Sequence, residues 1–479
     1  MFPPRANDYL GLRITVMGLG HFGGGIGAVR FLAAQGARVT LTDLKSAAEL
    51  SESLDQIAGL SLEALRFGEH REEDFTSADL IVASPAIRPD HPCLEAARSC
   101  NVPVTTEIGL FWRHCPAKVI GVTGTVGKST TSALIAHLLQ SAGQCVFLGG
   151  NIGGSLLDKL PEIGPADWVL LELSSFQLMY LNAERRSPRV AVVTNFHPNH
   201  LDWHQSLEEY RHAKQTLLRY QTPQDVAVLP TDTEFVNWPT NGQRVEFGCD
   251  VDGPDSVGVT RSGLQLHLGD AIEAVHWEHT RFRLSGFHNR LNEAAAVAAA
   301  VAAGVAPQAC AEGLRTFRGL PHRLEAVGEV GGVQFYNDSK ATTPEAAIAA
   351  LRAFDRPLIV LAGGSHKGAD LSSFAAELAG RAKGIALMGE TAPALVQMIN
   401  ATAAEHDAKA EDSAAHSRSG APPEVHLASD FRDAFSWAVS QAHAGDIILL
   451  SPGCASFGWF RDYEDRGCQF RFAVETLRS

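Results

Sequence analysis

A run of apolar and β-branched residues, Lys118-Val119-Ile120-Gly121-Val122, passes directly into Thr123-Gly124-Thr125-Val126-Gly127-Lys128-Ser129-Thr130 and then into a helical pattern through Leu134, Ile135, Leu138 and Leu139. A strand, a glycine loop carrying Gly-Lys-Ser and a helix in immediate succession commit this stretch to a parallel α/β layer whose loop wraps phosphate. The loop N–H groups face the phosphates, Lys128 reaches the terminal ones, and the Ser129 hydroxyl suits magnesium. The general pattern places Gly at position 122, where this chain has Val122.

The same rhythm recurs on both sides. Arg13–Met17 leads into Gly18-Leu19-Gly20-His21-Phe22-Gly23, a helical pattern, and a second strand ending near Asp43. Such a turn lets backbone N–H groups approach a phosphate, with Asp43 as a ribose or base acceptor; the lesser alternative is a structural turn without ligand. Leu80–Ala83 runs into Ser84-Pro85-Ala86, again at a strand's C-terminal end. Downstream, a buried strand ends in Glu172-Leu173-Ser174-Ser175-Phe176-Gln177, where a carboxylate beside the phosphate loop is placed to hold magnesium. The next strand runs into a loop with His197, His200 and His204, and spacing does not select among them. Lys214 falls in a helical stretch, where a lysine reads as solvated. Asn289 and Asn292 open an alanine-rich helix, either capping it or gripping a nucleotide.

A third segment carries His322-Arg323-Leu324-Glu325, Asn337-Asp338-Ser339-Lys340-Ala341-Thr342, Gly363-Gly364-Ser365-His366-Lys367-Gly368 and Ser451-Pro452-Gly453-Cys454-Ala455-Ser456-Phe457, the last two after continuous apolar strands of the parallel-sheet type. The expected fold class is α/β in three domains: a Rossmann-like domain over 1–107, a central P-loop ATPase-like domain with a mostly parallel sheet over 108–320, and a Rossmann-like C-terminal domain over 321–479. Residues 401–423 lack a clear period and read as a mobile surface insertion.

A length of 479 residues agrees with about three domains. The formal charge of -14 has the wrong sign for holding nucleic acid, so that partner is excluded. No apolar run approaches the roughly 20 residues of a membrane helix, and the first ten residues lack a secretory apolar core, so a cytoplasmic protein without membrane insertion is expected. The eight cysteines form no Cys-x-x-Cys pair and read as reduced, mostly structural thiols.

Taken in order, Thr123-Gly124-Thr125-x-Gly127-Lys128-Ser129-Thr130, Glu172-Leu173-Ser174-Ser175-Phe176-Gln177, His288-Asn289-x-x-Asn292, His322-Arg323-x-Glu325 and Asn337–Thr342 resemble the successive signatures of the Mur ligases, the ATP-dependent amino-acid ligases of peptidoglycan precursor synthesis. The glycine turn with Asp43, the Asn337–Thr342 run, the Lys367 segment and the Ser451–Ser456 segment are similar to those of the branch that adds D-glutamate. The resemblance implies that ATP phosphorylates the carboxylate of UDP-N-acetylmuramoyl-L-alanine and that D-glutamate attacks the acyl phosphate, in a monomer; another Mur ligase or a folate polyglutamate ligase is the alternative. It assigns ATP to Gly124, Thr125, Val126, Gly127, Lys128, Ser129, Thr130, Asn289, Asn292, Arg323, Asp338 and Lys340. One magnesium site takes Ser129 and Glu172, and a second takes His200 and a carbamylated Lys214, with manganese as substitute. Gly18, Leu19, Gly20, His21, Asp43, Leu44, Lys45, Ser84 and Asn151 hold the UDP-sugar, and Thr342, Lys367, Ser456, Phe457 and Tyr463 hold D-glutamate. The catalytic set is Lys128, Glu172, His200 and Lys214. Val126, Ala86 and Asn199 depart from the family's usual Asn, Gly and Asp.

Overall fold

A computed structural model describes residues 9–20, 23–201, 203–249, 251, 253–260, 262–268, 271–276, 287–317, 319–366, 370–412 and 423–478. The described chain forms two compact units, the first ending at Phe317 and the second taking up the chain beyond it.

The first unit holds two sheets. Strands β1 (Arg13–Met17), β2 (Arg38–Asp43), β3 (Ala64–Phe67), β4 (Leu80–Ala83) and β5 (Val104–Thr105) form a five-stranded sheet in the order β3-β2-β1-β4-β5. All its neighbours are parallel. Strands β6 (Lys118–Thr123), β7 (Val146–Gly150), β8 (Trp168–Glu172), β9 (Val190–Val193), β10 (Val226–Pro230), β11 (Gln243–Cys249), β12 (Ser256–Val259), β13 (Gly263–Leu268) and β14 (Ala271–His276) form a nine-stranded sheet in the order β14-β13-β12-β11-β10-β9-β6-β8-β7. It is parallel from β7 to β12 and closes with an antiparallel β12-β13-β14 meander. Its central strands, such as Val190-Ala191-Val192-Val193, are buried along their length, as apolar runs covered on both faces must be. The chain returns on either side of β6, so the loop after β6 lies at the switch point where such sheets bind ligands.

The second unit holds β15 (Glu325–Val330), β16 (Val333–Asn337), β17 (Leu358–Gly363), β18 (Ala382–Met388), β19 (Glu424–Leu427) and β20 (Ile447–Leu450) in the order β15-β16-β20-β17-β18-β19, parallel except for β15 against β16.

Three expectations are corrected. The 401–423 stretch is not an irregular insertion throughout, because the Ala392–Asp412 helix runs through its first half; its alanines favour helix although its apolar period is weak, and residues 413–422 lie outside the described set. Lys214 does not lie on a solvated face: with Tyr210, Ala213, Leu217 and Leu218 it occupies the buried stripe of the Leu207–Arg219 helix. All eight cysteines are free, but only Cys310 and Cys454 are buried, and Cys100, Cys145, Cys249 and Cys468 are exposed.

Candidate active site

The loop after β6 is held open by its glycines and braced from the neighbouring strand. Gly127 has φ 82°, and a side chain there would strike the Asn292 amide, while one at Gly124 would strike Thr194. The braces come from the end of β9. Asn195 Oδ1 accepts from the amides of Thr125 at 3.1 Å and Val126 at 2.9 Å, while Thr194 Oγ1 and Asn195 Nδ2 donate to the Val126 carbonyl at 2.6 and 2.9 Å. The sequence reading missed Thr194 and Asn195; the available signal was their position at the C-terminal end of the strand beside the phosphate-loop strand. Lys128 opens the Lys128–Ser141 helix and donates from Nζ to the carbonyls of Gly124 at 3.0 Å and Thr125 at 2.9 Å. Ser129 is half-buried, Thr130 is buried, and the Val126 side chain is exposed.

Beneath the loop lies Lys214, buried, with Nζ donating to the Gly124 carbonyl at 2.7 Å and 4.5 Å from the centre of the Tyr210 ring. Tyr210 in turn meets Thr125 Oγ1 at 3.2 Å. Burial, and then the charge of Lys128, lower the Lys214 ammonium pKa well below the usual lysine range.

Glu172 ends β8 only 1% exposed. Its Oε1 accepts from Asn151 Nδ2 at 2.9 Å, and its Oε2 is buried without a hydrogen-bond partner. Asn151 also donates its backbone N–H to the Glu172 carbonyl at 2.7 Å, so a residue assigned to the UDP-sugar and one assigned to metal are joined directly. The rest of this motif is structural. Ser174 and Gln177 form a reciprocal capping box on the Ser175–Leu181 helix, which fixes the direction in which the chain leaves Glu172.

Of the loop histidines, His200 is exposed with φ 54°, its ring 5.0 Å from that of Phe176. His197 is exposed too. His204 is buried, its Nε2 is 2.9 Å from Ser175 Oγ, and burial pulls its pKa down to about 4. Among the described residues no three His, Cys, Asp or Glu side chains converge as a metal-binding group.

The other assigned residues of the first unit also assemble. Asn292 Nδ2 donates to Asn289 Oδ1 at 3.2 Å, and Asn292 Oδ1 accepts from Thr131 at 3.3 Å, which sets this pair against the phosphate-loop helix. At the first glycine turn Asp43 accepts from the amides of Leu19 at 2.8 Å and Lys45 at 2.9 Å. A side chain at Gly18 would meet Ser84 at 2.9 Å, and Leu44 and Lys45 are exposed beside it. His21 lies outside the described residues.

In the second unit, Asp338 is buried at the end of β16, where Oδ1 accepts from the Leu324 amide and Oδ2 pairs with Ser451 Oγ, each at 3.0 Å; burial pushes its carboxyl up to about 7. Lys340 Nζ lies 5.8 Å from the centre of the Tyr463 ring, and the Thr342 amide donates to the Lys340 carbonyl at 2.9 Å. Ser456 is buried, whereas Phe457 and Arg323 are exposed; Lys367 lies outside the described residues. The sequence reading missed Arg466, which is 0% exposed. Its guanidinium donates to Ser339 Oγ and the Ser339 carbonyl, both at 2.9 Å, and to the Cys454 carbonyl at 3.3 Å, pinning the Asp338–Lys340 loop to the Cys454–Ser456 loop.

A braced phosphate loop at the switch point of a parallel sheet, with a carboxylate one strand away and two further α/β layers, defines the class of multidomain nucleotide-dependent α/β enzymes. Residues 12–106 match the Mur ligase MurD-like N-terminal domain, 122–300 the Mur ligase middle domain, and 322–454 the Mur ligase glutamate ligase domain. The chain is 38% identical to the UDP-N-acetylmuramoylalanine–D-glutamate ligase of Roseiflexus sp. (strain RS-1), over 98% of this chain and 99% of that one. It is also 38% identical to the enzyme of that name from Symbiobacterium thermophilum, over 97% and 98%. Among solved structures the fold is similar to UDP-N-acetylmuramate-alanine ligase MurC from Thermotoga maritima, with a TM-score of 0.55 at 19% identity over 97% and 99% of the two chains. MurF from Acinetobacter baumannii gives 0.56 at 17% over 98% and 94%. The chain belongs to the Mur ligase family.

Proposed function

We propose that this protein joins D-glutamate to UDP-N-acetylmuramoyl-L-alanine using ATP, as a cytoplasmic monomer in peptidoglycan precursor synthesis, with domain boundaries at Glu107 and Leu320. The observation that carries the reading is the packing, at the C-terminal ends of the interior strands β6 and β8 of the nine-stranded sheet, of the braced phosphate loop, the buried Lys214 and the Glu172 carboxylate with its uncommitted oxygen. The choice of substrates is supported by the names of the near full-length relatives.

In this reading the alanine carboxylate attacks the γ-phosphorus and ADP leaves. The amine of D-glutamate then attacks the acyl phosphate, and the tetrahedral intermediate collapses with loss of phosphate. The loop amides and Lys128 hold the triphosphate in line, so that positioning and charge stabilisation supply most of the acceleration. Gly18, Ser84, Asp43 and Asn151 orient the UDP-sugar, and Thr342, Lys367, Ser456, Phe457 and Tyr463 receive D-glutamate.

Ser129 and Glu172 offer hard oxygen donors, and the orphaned Oε2 of Glu172 suits a divalent cation such as magnesium or manganese. When bound, the ion offsets phosphate charge. Lys214 is an amine donating to a carbonyl, so a second ion at His200 fits only after Lys214 is carbamylated. Its lowered pKa favours the neutral amine, the form that adds carbon dioxide to give a carbamate and a proton.

Purified protein with ATP, magnesium and UDP-N-acetylmuramoyl-L-alanine should release phosphate with D-glutamate and not with other amino acids. Release with L-alanine on the unextended sugar, or with diaminopimelate on the longer precursor, overturns the substrate assignment.

A further inference from the structure

One seam inside the first unit lies outside the groups assigned to chemistry. It joins the turn after β4, which carries Ser84 and Ala86, to the segment between His200 and the Lys214 helix. Trp203 Nε1 donates to the Ala86 carbonyl at 3.1 Å, and Arg88 Nη1 donates back to the Trp203 carbonyl. The Arg88 guanidinium lies 5.0 Å over the Trp203 ring and pairs with Asp90 at 2.9 Å and with Glu209 at 3.4 Å, in the first turn of the Lys214 helix. Gln205 adds a 3.1 Å bond to Asp90, and Tyr180 donates to the Ile87 carbonyl at 2.7 Å. The Trp203 ring also lies 4.5 Å from that of Phe176, which is 5.0 Å from the His200 ring.

Arg88, which follows the β4 turn in the chain, thus touches the His200–His204 turn and the Lys214 helix together, while Trp203 closes the contact back to Ala86. Only a planar group with several donors can stack on an indole face while serving a carbonyl and two carboxylates; a lysine would keep the charge and lose the orientation. The placement is specific for another reason. The turn that Arg88 follows, and that Trp203 bonds, carries Ser84 of the UDP-sugar assignment, and the elements Arg88 touches carry His200 and Lys214.

We propose that Arg88 is a positioning residue that couples occupation of the Ser84–Ala86 turn by the UDP-sugar to the placement of His200 and Lys214 around the terminal phosphates. The proposal rests on the assignments made under the proposed function. It requires that the two ligands bind cooperatively and that the cooperativity pass through this contact.

The test is calorimetric titration of the full chain with a non-hydrolysable ATP analogue plus magnesium, with and without saturating UDP-N-acetylmuramoyl-L-alanine. The wild type should bind the analogue at least about fivefold more tightly with the UDP-sugar present. Arg88→Ala and Arg88→Lys should reduce that factor to below about twofold, while each ligand alone keeps its Kd within about threefold. A factor unchanged in both variants overturns the proposal, and so does a wild type without cooperativity. A parallel fall in both single-ligand affinities together with Tm would make Arg88 a structural staple and overturn it as well. Should Arg88→Ala not fold, Arg88→Lys and Trp203→Phe carry the test; the latter keeps the contact with Phe176 and removes the donor to Ala86. A wild type that binds no UDP-N-acetylmuramoyl-L-alanine at all overturns the underlying assignment instead, and is recognised before any variant is measured.

Discussion

Lys214 places its Nζ 2.7 Å from the carbonyl oxygen of Gly124, so a buried amine and the phosphate loop form one hydrogen-bonded unit although 90 residues separate them. Among the described residues no carboxylate forms an ion pair with this lysine. Its charged form is therefore disfavoured, and an apolar side chain of similar length should be tolerated by the fold. Lys214→Met is expected to retain or raise Tm and to lower phosphate release by about 100-fold or more. Labelling with 13C-bicarbonate should give a carbamate resonance in the wild type that is missing in the variant.

The bracing of the loop predicts a different pattern for Asn195. Asn195→Ala removes the acceptor shared by two loop amides and the donor to the Val126 carbonyl. Stability should fall by about 1–3 kcal/mol, and KM for ATP should rise while the UDP-sugar KM stays near its wild-type value. Lys128→Ala, which loses the Nζ bonds to the Gly124 and Thr125 carbonyls but keeps the Asn195 and Thr194 braces, should instead lower kcat by about 10²–10³-fold with a smaller change in Tm than Asn195→Ala. Steady-state kinetics and thermal melts on the two variants separate anchoring the loop from acting through it.

The contrast between these residues explains what the sequence could disclose. The phosphate loop, the glycine turn and the end of β8 are contiguous runs in which residue type and backbone conformation are set locally, and they were legible. The contacts that finish the site are not local. Asn195 reaches back 69 residues to Val126, and Arg466 reaches 127 residues to Ser339. Lys214 was misread because charge alone suggests a solvated face; its spacing from Tyr210, Ala213, Leu217 and Leu218 already placed it on the apolar stripe. For Arg466 no local signal exists, since a basic residue early in a terminal helix looks like any other.

Arg466 itself gives a stability prediction for the second unit. All its recorded acceptors are uncharged oxygens of Ser339 and Cys454, so its removal leaves buried carbonyls without donors and opens a void. Arg466→Ala should destabilise that unit by about 2–5 kcal/mol. Arg466→Lys supplies a point charge with fewer, differently directed donors and should recover only part of the loss. Urea unfolding followed by hydrogen exchange in β16 and β20 resolves the effect from the first unit.

Asp338 makes stability in the second unit depend on pH with a definite sign. Its carboxyl titrates near 7 in the folded chain, raised by burial from 3.8. Between those values the folded state keeps a proton that the unfolded state has released, so this group's contribution is fully present below about pH 4, declines as pH rises, and is lost above about pH 7. A span of about three pH units corresponds to about 4 kcal/mol. Asp338→Asn keeps an acceptor for the Leu324 amide and cannot ionise, so it should lack this slope and exceed the wild type in stability at pH 8 while matching it near pH 4. Glu107 and Glu293, pushed up to about 7 and about 8 by burial, give both proteins a further decline of the same sign. The wild-type-minus-variant difference in exchange protection of β16 across pH 4 to 8 removes that shared background, and a flat difference would show that Asp338 is ionised in the folded chain at neutral pH. Any loss of ligation in the variant should be confined to pH above about 7, where the wild-type carboxyl ionises and the amide cannot.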